Sequence, residues 1–264
     1  MKSIKAILLS LLGQRRYLQL TSALFFRAFQ FGWLKNDPAY YTHHFVRHFV
    51  QPGQVVIDIG ANLGYYSRLF SNLVGPAGKV LAVEPIALYR SVLTPNLRQC
   101  ANVTILPYAL GEAEGPIHMG NPSADKHRHG LMRVLRKEDE QKAGEVYEVA
   151  MKHPVQLFDG EPVIHYIKCD IEGYEVPVIP AMRPIIDKHR PIVQVETESD
   201  NLALLFHLFN NLRYTMFYVQ AGQLIPYKDA GQHLPADLIA LPAELAYHGI
   251  NPPVRAGDKI GEGF

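Results

Sequence analysis

Val55-Val56-Ile57-Asp58-Ile59-Gly60-Ala61-Asn62-Leu63-Gly64-Tyr65-Tyr66-Ser67 is the stretch that decides the fold. Its first five residues are β-branched and apolar except for Asp58, without the polar alternation of a half-solvated strand. Such a run reads as a parallel strand covered on both faces. Gly60 and Gly64 then make a turn in which a ligand can approach the backbone. The apolar-periodic segment that follows reads as a helix whose first N–H groups lack partners within the helix. Asp58 stands near the strand's carboxyl end, where open parallel sheets bind their ligands. Many nucleotide-binding proteins share this unit, so the rest of the chain must say which nucleotide.

Outward from the unit, strands and helices alternate. Leu69, Phe70, Leu73 and Val74 give the first helix its buried face, closed by Gly75-Pro76. Residues 79–84 read as a second strand ending in an acid. A helix to about residue 99 follows, and Pro95 should kink or divide it. Residues 103–110 read as a third strand, 112–120 as a short hairpin arm at the sheet edge, and 121–144 as a polar loop or insertion. Residues 163–169 and 191–196 are the fourth and fifth strands, with Pro177, Pro180 and Pro184 crowding the helix between them. After a helix over 202–212, two antiparallel strands turn at Ala221-Gly222, and 237–241 is the last strand. The pattern predicts an α/β fold with a mostly parallel, doubly wound sheet and an antiparallel edge. The domain would occupy residues 51–250, with 1–50 an N-terminal helical arm and 251–264 a flexible tail.

With 264 residues, 48% of them hydrophobic, the chain suits one large domain with a small appendage. A formal net charge of +1 offers no global pointer to nucleic acid. The only cysteines, Cys100 and Cys169, stand in no metal-binding spacing and read as thiols in a reducing compartment. No long apolar run suggests a membrane-spanning helix. The first residues faintly resemble a signal peptide, but Arg15-Arg16 follows the short apolar core and no cleavage site appears. The expectation is a mature chain starting at Met1 in the cytoplasm. The even charge hides an asymmetry, because residues 1–50 carry a net +6 and ten of the 27 aromatic residues. Tyr17, Leu20, Leu24, Ala28 and Phe31 fall on one face of a helix that Gly32 can end. Asp37-Pro38 opens a second helix bearing Tyr41, Phe45 and Phe49. Such an arm is expected to touch an anionic membrane peripherally, to pack on the domain, or to join a homodimer.

The dinucleotide fingerprint is G-x-G-x-x-G, whereas here the spacing is Gly60-x-x-x-Gly64 with an acid two residues before it. An acid there would repel a pyrophosphate but suit the ammonium of S-adenosylmethionine. Glu84 ends the second strand, where a carboxylate can accept both ribose hydroxyls. Asp58-Ile-Gly-Ala-Asn-Leu-Gly-Tyr-Tyr-Ser67, Val83-Glu-Pro85, Ala109-Leu-Gly111 and Lys168-Cys-Asp-Ile-Glu-Gly-Tyr-Glu175 together resemble the FkbM family of S-adenosylmethionine-dependent methyltransferases, over roughly residues 50–242. The resemblance implies a Rossmann-like class I methyltransferase fold with a seven-stranded sheet whose last strand is antiparallel. It also implies O-methylation of a sugar or other small molecule, often in polysaccharide or natural-product assembly. Carried over by position, Asp58, Gly60, Ala61, Asn62 and Gly64 would surround the methionine portion of the donor, with Ser67 just inside the helix. Glu84 would take the ribose, while Pro85, Ile86 and Ala109 would flank the adenine. The three prolines and Pro95 depart from the family's helices.

Methyl transfer needs an acceptor aligned with the activated methyl group and, for a hydroxyl, a base. Asp170 and Glu172, at the end of the fourth strand, are the candidate catalytic residues. They could also bind a divalent metal through oxygen ligands, although none is expected. His127, His129 and Glu196 are candidate acceptor contacts. The expected partner is a small-molecule or glycan acceptor, not nucleic acid. The competing readings are a Rossmann NAD(P)-dependent oxidoreductase, against which the glycine spacing speaks, and a non-catalytic cofactor-binding scaffold, which would be expected to lose Asp58, Glu84 or Asp170.

Overall fold

The Val55–Ile59 run forms the central strand, β1. The computed structural model describes residues 4–121, 132–196, 199–228 and 237–246. Two helices precede β1, α1 (Ile4–Gln30) and α2 (Tyr41–Phe45), the latter flanked by single 3-10 turns. After β1 come α3 (Tyr65–Val74), β2 (Lys79–Val83), α4 (Ala87–Asn96), β3 (Val103–Leu106), β4 (Ala109–Leu110), β5 (Gly115–Gly120) and β6 (Arg133–Val134). They are followed by α5 (Lys137–Glu140), β7 (Val146–Lys152), α6 (Pro154–Phe158), β8 (Tyr166–Cys169), α7 (Glu175–Ala181), α8 (Arg183–His189) and β9 (Ile192–Glu196). The chain continues through α9 (Ser199–Asn211), β10 (Tyr214–Gln220), β11 (Gln223–Pro226), β12 (Asp237–Pro242) and α10 (Ala243–Ala246).

The main sheet runs β11-β10-β12-β9-β8-β1-β2-β3. Pairings from β9 to β3 are parallel, and β12 is antiparallel to both β9 and β10. The fold is therefore the Rossmann-like class I methyltransferase sheet, seven strands with the last one inserted antiparallel. The β10–β11 hairpin adds an eighth strand at the edge. From β1 the chain winds toward β3 and then returns to build β8 and β9 on the other side. The reversal lies between β1 and β8, and open sheets bind ligands outside the carboxyl ends of such a pair.

Period-two alternation gives each face of the sheet its own core. Ile57, Ile59, Ile167, Cys169, Val193 and Val195 face one way, onto residues of α7, α8 and α9. Val56, Val80, Tyr166 and Ile192 face the other way, onto Leu69, Phe70 and Val74 of α3. Phe29, Phe45, Val46, Phe49 and Val50 of the N-terminal segment join this second core.

Three expectations need correction. Residues 103–110 do not form one strand, because Pro107 and Tyr108 separate β3 from β4, which belongs to a second sheet ordered β4-β7-β5-β6. Residues 112–120 are not a short hairpin arm at the edge of the main sheet, since β5 pairs along its whole length with β7 in the second sheet. The presumed loop 121–144 contributes β6 and α5 to that same unit. The prolines are accommodated by shortening. Pro95 lies in the last turn of α4, and Pro184 occupies the first turn of α8, where a missing N–H leaves no helical bond unmade.

Candidate active site

Beyond Ile59 the backbone turns through Gly60, Asn62 and Gly64, with φ of 79°, 50° and 94°. A Cβ on Gly60 would stand 1.8 Å from the Asp170 carbonyl oxygen, so the ends of β1 and β8 meet this closely only because residue 60 is glycine. Glu84, just past β2, closes over the turn. Its carboxylate accepts the Asn62 N–H at 2.9 Å and the Ile86 N–H at 2.8 Å. Burial raises its pKa to about 7, against the pull of those two donors and of Arg90. Arg90 in turn donates to the carbonyls of Glu84 and Pro85.

The parallel register sets Asp58, Lys168 and Gln194 side by side across β1, β8 and β9. Strand alternation then directs Asp170 to the same face as Lys168. The Lys168 ammonium lies 3.0 Å from Asp170 Oδ2 and 3.5 Å from Asp58 Oδ1, and it donates to the Gly60 carbonyl at 3.2 Å. Burial opposes its charge, but the two carboxylates outweigh burial and keep it protonated. Asp58 is fully buried and accepts the Ser67 hydroxyl at 2.5 Å. Burial raises its pKa, with Lys168 and then Ser67 drawing it back.

Glu196 ends β9 and hydrogen-bonds Asp170. Burial, followed by the Asp170 charge, raises the Glu196 pKa to about 9, so at neutral pH Glu196 holds the proton of this pair and donates it to Asp170. Behind them, Gln194 accepts the Tyr166 hydroxyl at 2.9 Å and donates to the Tyr66 hydroxyl at 3.0 Å and to Asp237 at 2.9 Å. Asp170 thus stands at the cleft side of a buried, mutually bonded polar layer.

These groups border an open cleft across the carboxyl ends of β2, β1, β8 and β9. Four carboxylates line it, Glu84, Asp170, Glu172 and Glu196, with Gly60, Asn62, Pro85, Ile86, Tyr89, Met119, Met132 and Ile171. None of these lining residues is a lysine, arginine or histidine. A small apolar pocket adjoins it, sharing Gly60, Pro85, Met119 and Ile171 and adding Ala109, Tyr108 and Tyr174.

Of the residues singled out from sequence, Gly60, Asn62, Glu84, Pro85, Ile86, Asp170, Glu172 and Glu196 meet in the cleft, and Ala109 in the pocket beside it. Asp58, Ala61, Gly64 and Ser67 line neither. Asp58 faces Lys168 and Ser67, both of which lie on its own side of the sheet. Ala61 is buried, and a Cβ on Gly64 would press on Leu93 of α4 and on Leu97 just past it, so the chain packs closely there. His127 and His129 lie outside the described residues. Glu175 was not anticipated. Its Oε1 accepts the Ile171 N–H at 2.9 Å and the Gly173 N–H at 3.3 Å, holding the loop in which Glu172 and Gly173 take φ of 54° and 88°. An acid opening a helix just after a glycine turn is the signal that could have found it. No cluster of three or more His, Cys, Asp or Glu suited to a metal ion occurs among the described residues.

Residues 58–224 match the family described as the methyltransferase FkbM domain. The chain belongs to the FkbM methyltransferase family. Over 62 residues it is 37% identical to a protein-L-isoaspartate O-methyltransferase of Aeropyrum pernix, an alignment covering 24% of each protein. The crystal structure of methyltransferase FkbM from Methylobacillus flagellatus KT superposes with a TM-score of 0.48 at 16% identity, covering 85% of this chain and 53% of that one. Aeropyrum pernix fibrillarin, crystallised with natively bound S-adenosyl-L-methionine, gives a TM-score of 0.43 at 9% identity, covering 73% of this chain and 68% of that one. The chain thus spans about half of the FkbM structure and about a quarter of the isoaspartate methyltransferase.

Proposed function

We propose that this FkbM-family chain methylates a hydroxyl of a sugar or other small acceptor, with S-adenosylmethionine as donor. The observation that carries this reading is the charge of the cleft, four carboxylates with no basic side chain among its lining residues. A dinucleotide would bring a pyrophosphate, which such a wall repels. S-adenosylmethionine brings an ammonium, a sulfonium and a ribose diol, and no phosphate. Glu84 supplies an acceptor for the diol, and Pro85, Ile86 and the apolar pocket supply surface for the adenine. Gly60 and Asp170 stand at the end suited to the cationic portion. When bound, the donor supplies a methyl group already activated by its sulfonium.

The remaining work falls to the chain. Asp170 accepts the proton of the acceptor hydroxyl as its oxygen gains the methyl group. Lys168 and Glu196 fix the Asp170 carboxylate from two sides, so that it does not reorganise as the proton arrives. Tyr89, Met119 and Met132 give the cleft an apolar wall that limits water. Calorimetric titration with S-adenosylhomocysteine tests the donor, and heat from NAD with none from S-adenosylhomocysteine would overturn the reading. Methyl transfer from labelled donor to candidate glycans tests the acceptor. Asp170→Asn should cost about 10²–10⁴ in turnover, the worth of a general base, with donor affinity held within about tenfold. Unchanged turnover would remove Asp170 from the chemistry.

A further inference from the structure

Helix α1 is apolar on two opposite faces. Leu18, Ser22 and Phe29 are buried, with Leu18 packed in the same cluster as Ile86 and Tyr89 of the cleft wall. At 100° per residue, Leu20 and Leu24 lie on the opposite side, and Phe31 continues their line past the helix end. Leu24 is 56% exposed, Phe31 66% and Trp33 74%, and the Phe31 and Trp33 rings stack with centroids 5.5 Å apart. Beyond the break at Gly13 (φ 70°), Ile7 and Leu11 are exposed as well. Arg16 and Arg27 are exposed on the same face as Leu20 and Leu24, and no ion pair joins Arg15, Arg16, Arg27 or Lys35 to an acid among the described residues. Asp37 is the only acid in residues 1–50.

We propose that this outer face of α1 docks on an anionic lipid bilayer. Exposed Leu, Phe and Trp side chains flanked by unpaired arginines are what an interfacial helix offers, with rings and aliphatics entering the headgroup boundary and cations meeting lipid phosphate. No helix among the described residues is long and apolar enough to cross a membrane, so contact would be lateral. Charge separates this occupant from a second copy of the chain. A twofold pairing would place the face against itself, bringing Arg16 and Arg27 near their own counterparts with no acid on the face to balance them. A bilayer containing phosphatidylserine supplies that balance. Because the inner face of α1 packs on the cleft wall, docking would hold the cleft beside the lipid surface.

The test is sedimentation of the full chain with vesicles of phosphatidylserine in phosphatidylcholine and with phosphatidylcholine alone. Binding is expected to the anionic vesicles only, and to fall as salt rises from about 0.1 M to about 1 M, where the Debye length shrinks from about 10 Å to about 3 Å. Arg16→Gln with Arg27→Gln should weaken it about 25-fold, each charge at the surface being worth about fivefold. Leu24→Gln with Phe31→Gln should weaken it at least about tenfold through lost apolar insertion. All four side chains are exposed, so both variants should keep the wild-type melting temperature. Failure to bind anionic vesicles, or binding that both variants leave intact, overturns the proposal. So does a dimer in sedimentation velocity that the same variants dissociate, which would make the face a contact between copies.

Discussion

Replacing Lys168 by methionine removes the one cation held by two carboxylates of the site, and the size and sign of the effect follow from the structure. Asp58 is fully buried, with its Oδ1 3.5 Å from the ammonium and its other oxygen occupied by Ser67. Removing one partner of a buried pair costs about 3–5 kcal/mol, because the remaining charge has neither water nor counter-ion. For a chain of this length each kcal/mol moves the melting temperature by about 2 °C, so Lys168→Met should melt about 6–10 °C lower near neutral pH. Burial already puts the folded pKa of Asp58 above its unfolded value, and Lys168 pulls it down. Without Lys168 that pKa rises further. A carboxyl whose folded pKa exceeds its unfolded one loses stability as pH climbs between the two, by up to about 1.4 kcal/mol per unit. The deficit of Lys168→Met should therefore be smallest at acid pH and grow as pH climbs from the unfolded toward the raised folded pKa of Asp58. Thermal unfolding of both proteins across that range is the assay. Adding Asp58→Asn, which keeps an oxygen for Ser67, should recover most of the loss and flatten its pH dependence. Equal melting temperatures, or a deficit of the same size at every pH, would refute the coupling.

Three further outcomes are expected. Glu84 has a pKa of about 7 and accepts hydroxyls best when ionised, so S-adenosylhomocysteine affinity should fall below that pH by about tenfold per unit. Glu84→Gln should bind it about 10–150-fold more weakly, with the pH slope gone, in the same calorimetric titration. Glu196 loses its proton near pH 9, which would set a second anion against Asp170. Turnover should therefore decline as pH rises through that value, and Glu196→Gln should lack this alkaline limb in a rate profile. Gly60→Ala places a methyl group 1.8 Å from the Asp170 carbonyl at a φ of 79°, so urea unfolding should show a loss of at least about 2 kcal/mol, with turnover reduced as Asp170 is displaced.

How far such features could be read from sequence depended on whether one local pattern carried them. β2, β8 and β9 are short, mostly apolar buried runs, and each ends in or just before an acid, Glu84, Asp170 or Glu196, that the fold then delivers to one cleft. The second sheet was less legible because its pairing is non-local. β7 alternates Val146, Glu148 and Ala150 outward with Tyr147, Val149 and Met151 inward, yet its partner β5 contains Gly115 and Pro116 and lies some 30 residues earlier in the chain. Neither strand announces the other. In α1, both the Leu18–Ser22–Phe29 side and the Leu20–Leu24–Phe31 side satisfy helical periodicity. Period alone cannot choose which of two apolar stripes meets the core. α3 and α4 decide it, through residues far from α1 in sequence.

Asp58 is the sharper case, because it points toward a cationic ligand without touching the cleft. Its register partner is Lys168, which lies 3.0 Å from Asp170. Were Lys168 paired with Asp170 alone, that end of the cleft would be neutral. Asp58 gives the one ammonium a second carboxyl partner, so Lys168 is shared between a fully buried acid and Asp170, the member of the three nearest the cleft. Glu196, holding its proton near neutrality, strengthens the hydrogen bond to Asp170 without adding another charge. The acid before the first glycine thus reaches the Asp170 end of the cleft through a buried lysine. Changing Asp58 should accordingly alter the charge felt by the donor's cationic portion while leaving the Glu84 end, across the turn, unaffected.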